Sequence, residues 1–360
     1  EHPDADPVQG RRAPGPDRGR PGQGPAAPGA VGPPLGALPL APGDEGAGVS
    51  DLQGRLRKLG VPTAPDPEGT FSSGTRAAVE AFQHRRGLRV DGVCGPQTWA
   101  ALVEAGFGLG DRFLYHRRPM LRGDDVADLQ RRLSSLGFDT GRVDGIFGDQ
   151  TASALAEFQR NTGLPADAIL GASTLRELRR VTPRHVDPQL VSMVRDRERM
   201  RQAPRTLLGR HIAVGEEGGI DPLVTALRRR LRSEGAVVVP VLHPDGSAQA
   251  EQANTAGVEV YLGLRVDPER AGCAAAYYAG YEYESAGGRR LAELVQALGA
   301  AALGVSAGGA RGMSLAVLRE TQMPAVVCEV GPAALVVQRS AALAQALAEA
   351  LTAWAVTPPE

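Results

Sequence analysis

Residues 211–221 read HIAVGEEGGID. A short apolar run, Ile212 to Val214, breaks into a Gly-Gly turn, and a helical stretch follows. A strand that ends in such a turn holds a side chain at the C-terminal edge of a sheet, where α/β proteins keep their chemistry. Here that side chain is Glu217. Working outward, VVVPVL at 237–242, VEVYLGL at 258–264 and PAVVCEV at 324–330 are further β-branched or apolar runs. Helical periodicity fills the intervals at 222–234, 247–256, 287–303 and 338–354. Alternation of this kind predicts an α/β domain over 209–356, with a twisted, mostly parallel sheet and helices on both faces. The right-handed crossover rule then gathers the strand ends on one edge. Glu217, Arg265 and Glu329 all fall there.

The texture upstream is different. VSDLQGRLRKLGV at 49–61 returns as VADLQRRLSSLGF at 126–138, and TRAAVEAFQHRRGL at 75–88 returns as TASALAEFQRNTGL at 151–164. The offset is 77 residues in the first block and 76 in the second, which marks two tandem small domains rather than a solenoid. Val126, Leu129, Leu133 and Leu136 recur at helical spacing, with Gly137 and Gly163 as stops. VDGVCG at 90–95 and VDGIFG at 143–148 are tight Asp-Gly turns. Each copy is expected to be a three-helix, all-α unit, at 49–105 and 122–181. Residues 1–48, dense in Pro, Gly and Ala, are expected to form a disordered tail. The polar, Pro-punctuated 182–208 is expected to be a connecting helix.

Composition sets outer limits. The hydrophobic fraction of 42% supports real cores, but aromatics make up only 4%, so those cores rest on Leu, Val and Ala. A net charge of -1 gives no reason to expect nucleic-acid binding. Cys94, Cys273 and Cys328 are odd in number and follow no CxxC spacing, so each is read as a small apolar residue. No apolar run is long enough for a membrane span.

The repeats resemble the peptidoglycan-binding domain that accompanies many cell-wall hydrolases. The shared pattern is the DLQxxLxxLG block, the VDGxFGxxT turn and the FQxxxGL helix end. The resemblance implies a shallow groove for glycan-peptide chains near the last two helices. It places Phe71, Thr75 and Gln83 of the first copy, and Asp144, Phe147, Thr151 and Gln159 of the second, at that surface. An alternative reading has Gln83 and Gln159 bracing the loops.

The C-terminal domain resembles the zinc-dependent N-acetylmuramoyl-L-alanine amidases, keeping QAN at 252–254 and MPAVVCEVG at 323–331. Family ligand positions would be two histidines and a glutamate, with a catalytic Glu at the last strand's end. The first His position matches Glu217, the second matches Arg265, and the loop that carries the Glu ligand is shortened, leaving Asp221 as a helix cap. Only Glu329 keeps the family type. Zinc needs about four N, O or S ligands, and a guanidinium is a donor only. Glu217 and Arg265, or Arg265 and Glu329, are therefore expected to pair, with no cofactor. His211 and His243 lie away from the family's metal position.

The whole layout, 49–356, is similar to the CwlM-type regulators of actinobacteria. That resemblance implies a cytoplasmic or membrane-associated regulator of peptidoglycan precursor synthesis, with the UDP-N-acetylglucosamine enolpyruvyl transferase as partner. It also implies control by phosphothreonines in a C-terminal tail, where this chain has Thr357. Two alternatives stand beside it. One is an active zinc amidase secreted to the cell wall, with Glu329 catalytic; the other is a wall-binding module whose last domain only spaces or dimerises.

Overall fold

The computed structural model describes residues 38–181, 198, 200–267, 271–280 and 283–357. The first repeat comprises α1 (Ala47–Lys58), α2 (Ser73–Arg85) and α3 (Pro96–Ala105). The second comprises α4 (Asp124–Ser135), α5 (Asp149–Asn161) and α6 (Ala172–Val181). Each closes on its own core, of Leu52, Leu56, Val79, Phe82 and Leu102 in one copy and Leu129, Leu133, Leu155, Phe158 and Leu178 in the other. Gly137 and Gly163 end α4 and α5 at φ of 94° and 73°, a left-handed backbone that glycine adopts without a Cβ clash.

What holds each turn to its helices is a buried glutamine, and the same device occurs twice per repeat. Gln130 on α4 donates to Asp144 Oδ1 (2.9 Å), Ile146 O (3.1 Å) and Thr151 Oγ1 (3.0 Å). Its carbonyl accepts from the Asp144 and Gly145 amides. Gln159 on α5 repeats this with Asp167, Ile169, Thr174 and the Ala168 amide. Gln53 and Gln83 do the same in the first copy. One amide side chain thus satisfies turn backbone groups that water cannot reach.

Two domain boundaries move. Residues 38–48 were expected to belong to the tail, yet Leu40 is buried and exchanges backbone hydrogen bonds with Cys94 (3.1 and 2.9 Å). Leu38 and Leu40, two residues apart, both join the core of the first repeat despite the Pro and Gly around them. Leu207, expected in the linker, is buried in the core of the C-terminal domain. The rest of the tail, 1–37, and linker residues 182–197 and 199 lie outside the described residues.

The α/β domain runs β1 (His211–Glu216), α7 (Asp221–Ser233), β2 (Val237–Leu242), α8 (Gly246–Thr255), β3 (Val260–Val266) and β4 (Gly272–Tyr278). Then follow α9 (Ala286–Leu303), β5 (Ala307–Met313), α10 (Ala316–Glu320), β6 (Ala325–Gly331), α11 (Ala333–Gln338) and α12 (Ser340–Val356). The sheet order is β2-β1-β3-β6-β4-β5, with β4 antiparallel to β6 and every other pair parallel. It is therefore mostly parallel, and the sequence reading lacked β4 and β5. Their segments, GCAAAYY and AGGARGM, carry Ala and Gly in place of β-branched residues. Pairing with β6, not local preference, makes β4 a strand.

Helices α7, α9 and α12 cover one face through Leu227, Val295, Leu347 and Leu351. The other face, with Ala213, Tyr261 and Val327, is covered by short α8 and α10 and also by Ala127 and Val143 of the second repeat. The repeat thus completes the core of the neighbouring domain. All three cysteines are buried free thiols, as their scattered positions suggested.

Replacing Gln130 with Leu removes the donors and the acceptor that hold the 144–146 turn. Urea unfolding should register a loss of about 2–3 kcal/mol, because buried backbone groups are left unpaired. A loss below about 0.5 kcal/mol would mean that the clasp is not structural.

Candidate functional site

Strand alternation decides which side chains meet at the C-terminal edge. Ile212, Val214 and Glu216 point to the α7/α9/α12 face, so Ala213, Gly215 and Glu217 point to the other. The same parity on β3 and β6 places Tyr261 and Arg265, and Val327 and Glu329, on that second face. Arg265 and Glu329 are register partners on neighbouring parallel strands. Glu217 lies one residue beyond β1.

The three form one charge cluster. Arg265 Nη2 donates to Glu217 Oε1 at 2.7 Å and Nε donates to Oε2 at 3.0 Å, a fork-to-fork pair. On its far side Nη1 lies 3.6 Å from Glu329 Oε1. The side chains are 36–40% exposed, so the cluster lines an open edge. The Glu217 hydrogen bonds raise the Arg265 pKa, against the opposing effect of burial. The expected pairing of Arg265 is present on both sides.

Below the cluster lies a floor that sequence reasoning missed. Tyr261 is buried, and its hydroxyl donates to Gln249 Oε1. Gln249 in turn donates to the carbonyls of Glu216 and His243. Gly215 is required here: a Cβ would come within 2.1 Å of Tyr261 Oη. Burial, with the Glu217 charge second, pushes the Tyr261 phenol well above its ordinary range. Buried Glu216, adjacent to Glu217 in sequence, faces the opposite way and pairs with Arg228 at 3.1 Å.

The donor set does not fit a divalent cation. Arg265 offers no lone pair and brings its positive charge between the two carboxylates. Among the described residues, no three His, Cys, Asp or Glu side chains converge as metal ligands. His211 begins β1, about 20 Å along the strand from Glu217. His243 follows β2, and its Nδ1 accepts the Asp245 amide at 2.9 Å. Asp221 opens α7 without a side-chain cap.

The residues expected at a glycan groove are largely interior. Phe71, Thr75, Gln83, Phe147, Thr151 and Gln159 are at most 1% exposed. This corrects their assignment to a ligand surface, and for Gln83 and Gln159 the structure has the alternative, bracing of the loops: the pattern that makes these residues recognisable is the pattern of the glutamine clasp and the core. Asp144 is also unavailable. Its carboxyl is clasped by Gln130, and its carbonyl accepts from Arg319 Nε at 2.8 Å. Burial raises the pKa of its carboxyl.

Arg319, on α10, is the second feature not anticipated. Beyond the Asp144 carbonyl it reaches Glu104 of the first repeat at 2.7 Å. Arg122 pairs with Glu320 at 2.8 Å, Arg142 donates to the Thr321 carbonyl at 2.6 Å, and Arg86 forks onto Asp124. Burial opposes the charge on Arg319, and Glu104, Tyr278 and Asp144 together outweigh it, so its pKa is raised. Both repeats are thereby latched to the α/β domain.

Residues 45–102 and 122–178 match the peptidoglycan-binding domain family. Together with the α/β sheet, this defines a peptidoglycan-binding, amidase-like protein. The N-acetylmuramoyl-L-alanine amidase CwlM of Mycobacterium tuberculosis is 34% identical over 327 residues, covering 80% of each chain. The chain belongs to the CwlM family. The amidase CwlL of Bacillus licheniformis is 32% identical over 155 residues, covering 37% of this chain and 43% of its own. Among solved structures, the amidase Ami1 of Mycobacterium smegmatis covers 42% of this chain and 98% of its own, at 14% identity and a TM-score of 0.36.

Two arginine substitutions should separate an open ion pair from a buried one. Arg265→Leu should cost at most about 1 kcal/mol, since exposed pairs contribute little. Arg319→Ala strands the Glu104 carboxylate, whose side chain is 19% exposed, and leaves the Asp144 carbonyl without this donor, and should cost about 2–3 kcal/mol. Thermal and urea unfolding of the two variants measure this; equal losses would contradict the assignment of the latch to Arg319.

Proposed function

We propose that this chain is a non-catalytic regulator of peptidoglycan precursor synthesis, built on a degenerate amidase domain. One observation carries the reading. The Arg265 guanidinium lies between Glu217 and Glu329, at the edge where a zinc amidase would gather its ligands. An ion pair there preserves the shape of the edge and removes the Lewis acid. Glu329 then has no metal-bound water from which to take a proton.

In this role the repeats recognise peptidoglycan or its precursors. Their rigid attachment to the α/β domain lets ligand occupancy be felt at the edge that a partner would read. The partner we propose is the UDP-N-acetylglucosamine enolpyruvyl transferase, placing the protein on the cytoplasmic side or at the membrane surface. Among the described residues no helix is long and apolar enough to cross a membrane. Thr357 is exposed at the end of α12, and a phosphate there would add about -1.5 to -2 charge and recruit an arginine surface.

The second reading, an active wall amidase, rests on the retained Glu329 at the end of β6 and on the activity named for the M. tuberculosis relative. Incubation of the full chain with purified sacculi and zinc separates the two. The regulator releases no new L-alanine amino termini above a protein-free control, whereas release that disappears in Glu329→Ala would establish the hydrolase. A parallel assay of the purified transferase should show a rate increase on addition of the chain; an unchanged rate would remove that partner.

A further inference from the structure

The two repeats share a clasp and a core but not a surface. In each, an extended segment before the first helix forms an isolated antiparallel β-bridge with the turn before the last one: Leu40 with Cys94, and Leu114 with Leu170. These four residues point inward and are buried. Their flanking residues therefore point outward. In the first repeat the flanks are Pro39 and Ala41. In the second they are Phe113 and Tyr115, which are 53% and 40% exposed.

Around the two rings the second repeat adds more of the same kind. Ile169, across the bridge from Tyr115, is 39% exposed, and Met120 is 40% exposed. Gly171 lies opposite Phe113, and a Cβ there would just touch the ring, at 3.5 Å. The path from the bridge to the glycine before the first helix is also three residues longer than in the first repeat. The extra length is spent on YHRRPM, 115–120, whose six residues are all exposed. Arg117 and Arg118 make no ion pair among the described residues, while His116 faces Asp149 at 3.5 Å. The strap 113–120 lies outside both stretches that match the peptidoglycan-binding family.

We infer that this strap is the ligand-contacting surface of the tandem repeats, and that it takes an anionic glycopeptide: an N-acetylated sugar carrying a carboxylate-bearing peptide. The inference rests on the reading of the repeats as peptidoglycan-recognising, and it specifies which copy and which residues do the work. Flat, exposed rings stack on the C–H faces of a pyranose, and Met120 and Ile169 suit an acetamido methyl group. The free guanidiniums of Arg117 and Arg118 supply forked donors for the peptide carboxylates. At the equivalent flank the first repeat has Pro39 and Ala41, with neither a ring nor a cation, and it serves to hold the second in place through Arg86 and Asp124.

The test is calorimetric titration of the full chain with a soluble disaccharide-tetrapeptide and, separately, with neutral chitotetraose. The double variant Phe113→Ala/Tyr115→Ala should weaken both ligands by about tenfold or more. Arg117→Gln/Arg118→Gln should weaken only the disaccharide-tetrapeptide, by about three- to tenfold. Ala41→Ser in the first repeat should change neither. Because the four strap side chains are exposed and Ala41→Ser adds a single atom, melting temperatures should stay at the wild-type value, which separates a binding defect from misfolding. Wild-type affinity in the aromatic variant, alongside binding by the parent, would overturn the inference and leave the repeats' recognition of peptidoglycan standing. Failure of the parent to bind the disaccharide-tetrapeptide or sacculi would remove the broader reading, and this one with it. Loss of binding to anionic vesicles in the arginine variant, with glycopeptide affinity unchanged, would assign the strap to a membrane and overturn the inference.

Discussion

The guanidinium of Arg265, held between the carboxylates of Glu217 and Glu329, is the interaction on which the functional account depends. It exists because of sheet register. Arg265 and Glu329 are paired positions on β3 and β6, and the end of β1 brings Glu217 alongside. Three strands remote in sequence place three charges on one face of one edge, and a single nitrogen-rich side chain occupies their centre. Such a cluster is worth little as stability, since it is more than one-third exposed and solvated. Its consequence is chemical. Two acceptors that could help bind a cation are already engaged by a permanent one.

A second group of arginines sets how the three folded parts act together. The Arg319 side chain, 16% exposed, reaches from α10 to the repeats, touching the Asp144 carbonyl and the Glu104 carboxylate. Ala127 and Val143 of the second repeat enter the hydrophobic cluster that underlies Tyr261. Tyr261 in turn, through Gln249, fixes the backbone of Glu216, the residue before Glu217. A continuous packed path therefore runs from the second repeat to the charged edge. Breaking Arg319 would leave each part its own core but expose the sheet face that the repeat covers.

Much of this was legible in the sequence, and the exceptions have physical causes. The repeat offsets, the helices and the first, second, third and last strands follow from apolar periodicity. The edge cluster follows from strand ends, because alternation fixes the face of each side chain. The β4 and β5 segments were not legible, since Ala and Gly carry no strand preference and their pairing is decided by β6. Phe71, Thr75, Gln83, Phe147, Thr151 and Gln159 stood out as a motif, but a motif in a small domain can record its buried hydrogen bonds as easily as its ligand. The bracing role of Gln83 and Gln159 was open to the repeat pattern as an alternative, whereas Arg319 looks like any other surface arginine of an amphipathic helix. Only the three-dimensional packing reveals that it is enclosed.

Zinc stoichiometry tests the central claim most directly. The full chain is loaded with excess zinc, dialysed exhaustively and analysed for metal and protein. With Arg265 occupying the edge, the bound metal should be near zero. A value of about one equivalent, lost on Glu217→Ala or Glu329→Ala, would mean that the edge assembles a metal site despite the guanidinium. It would return the chain to the active amidases.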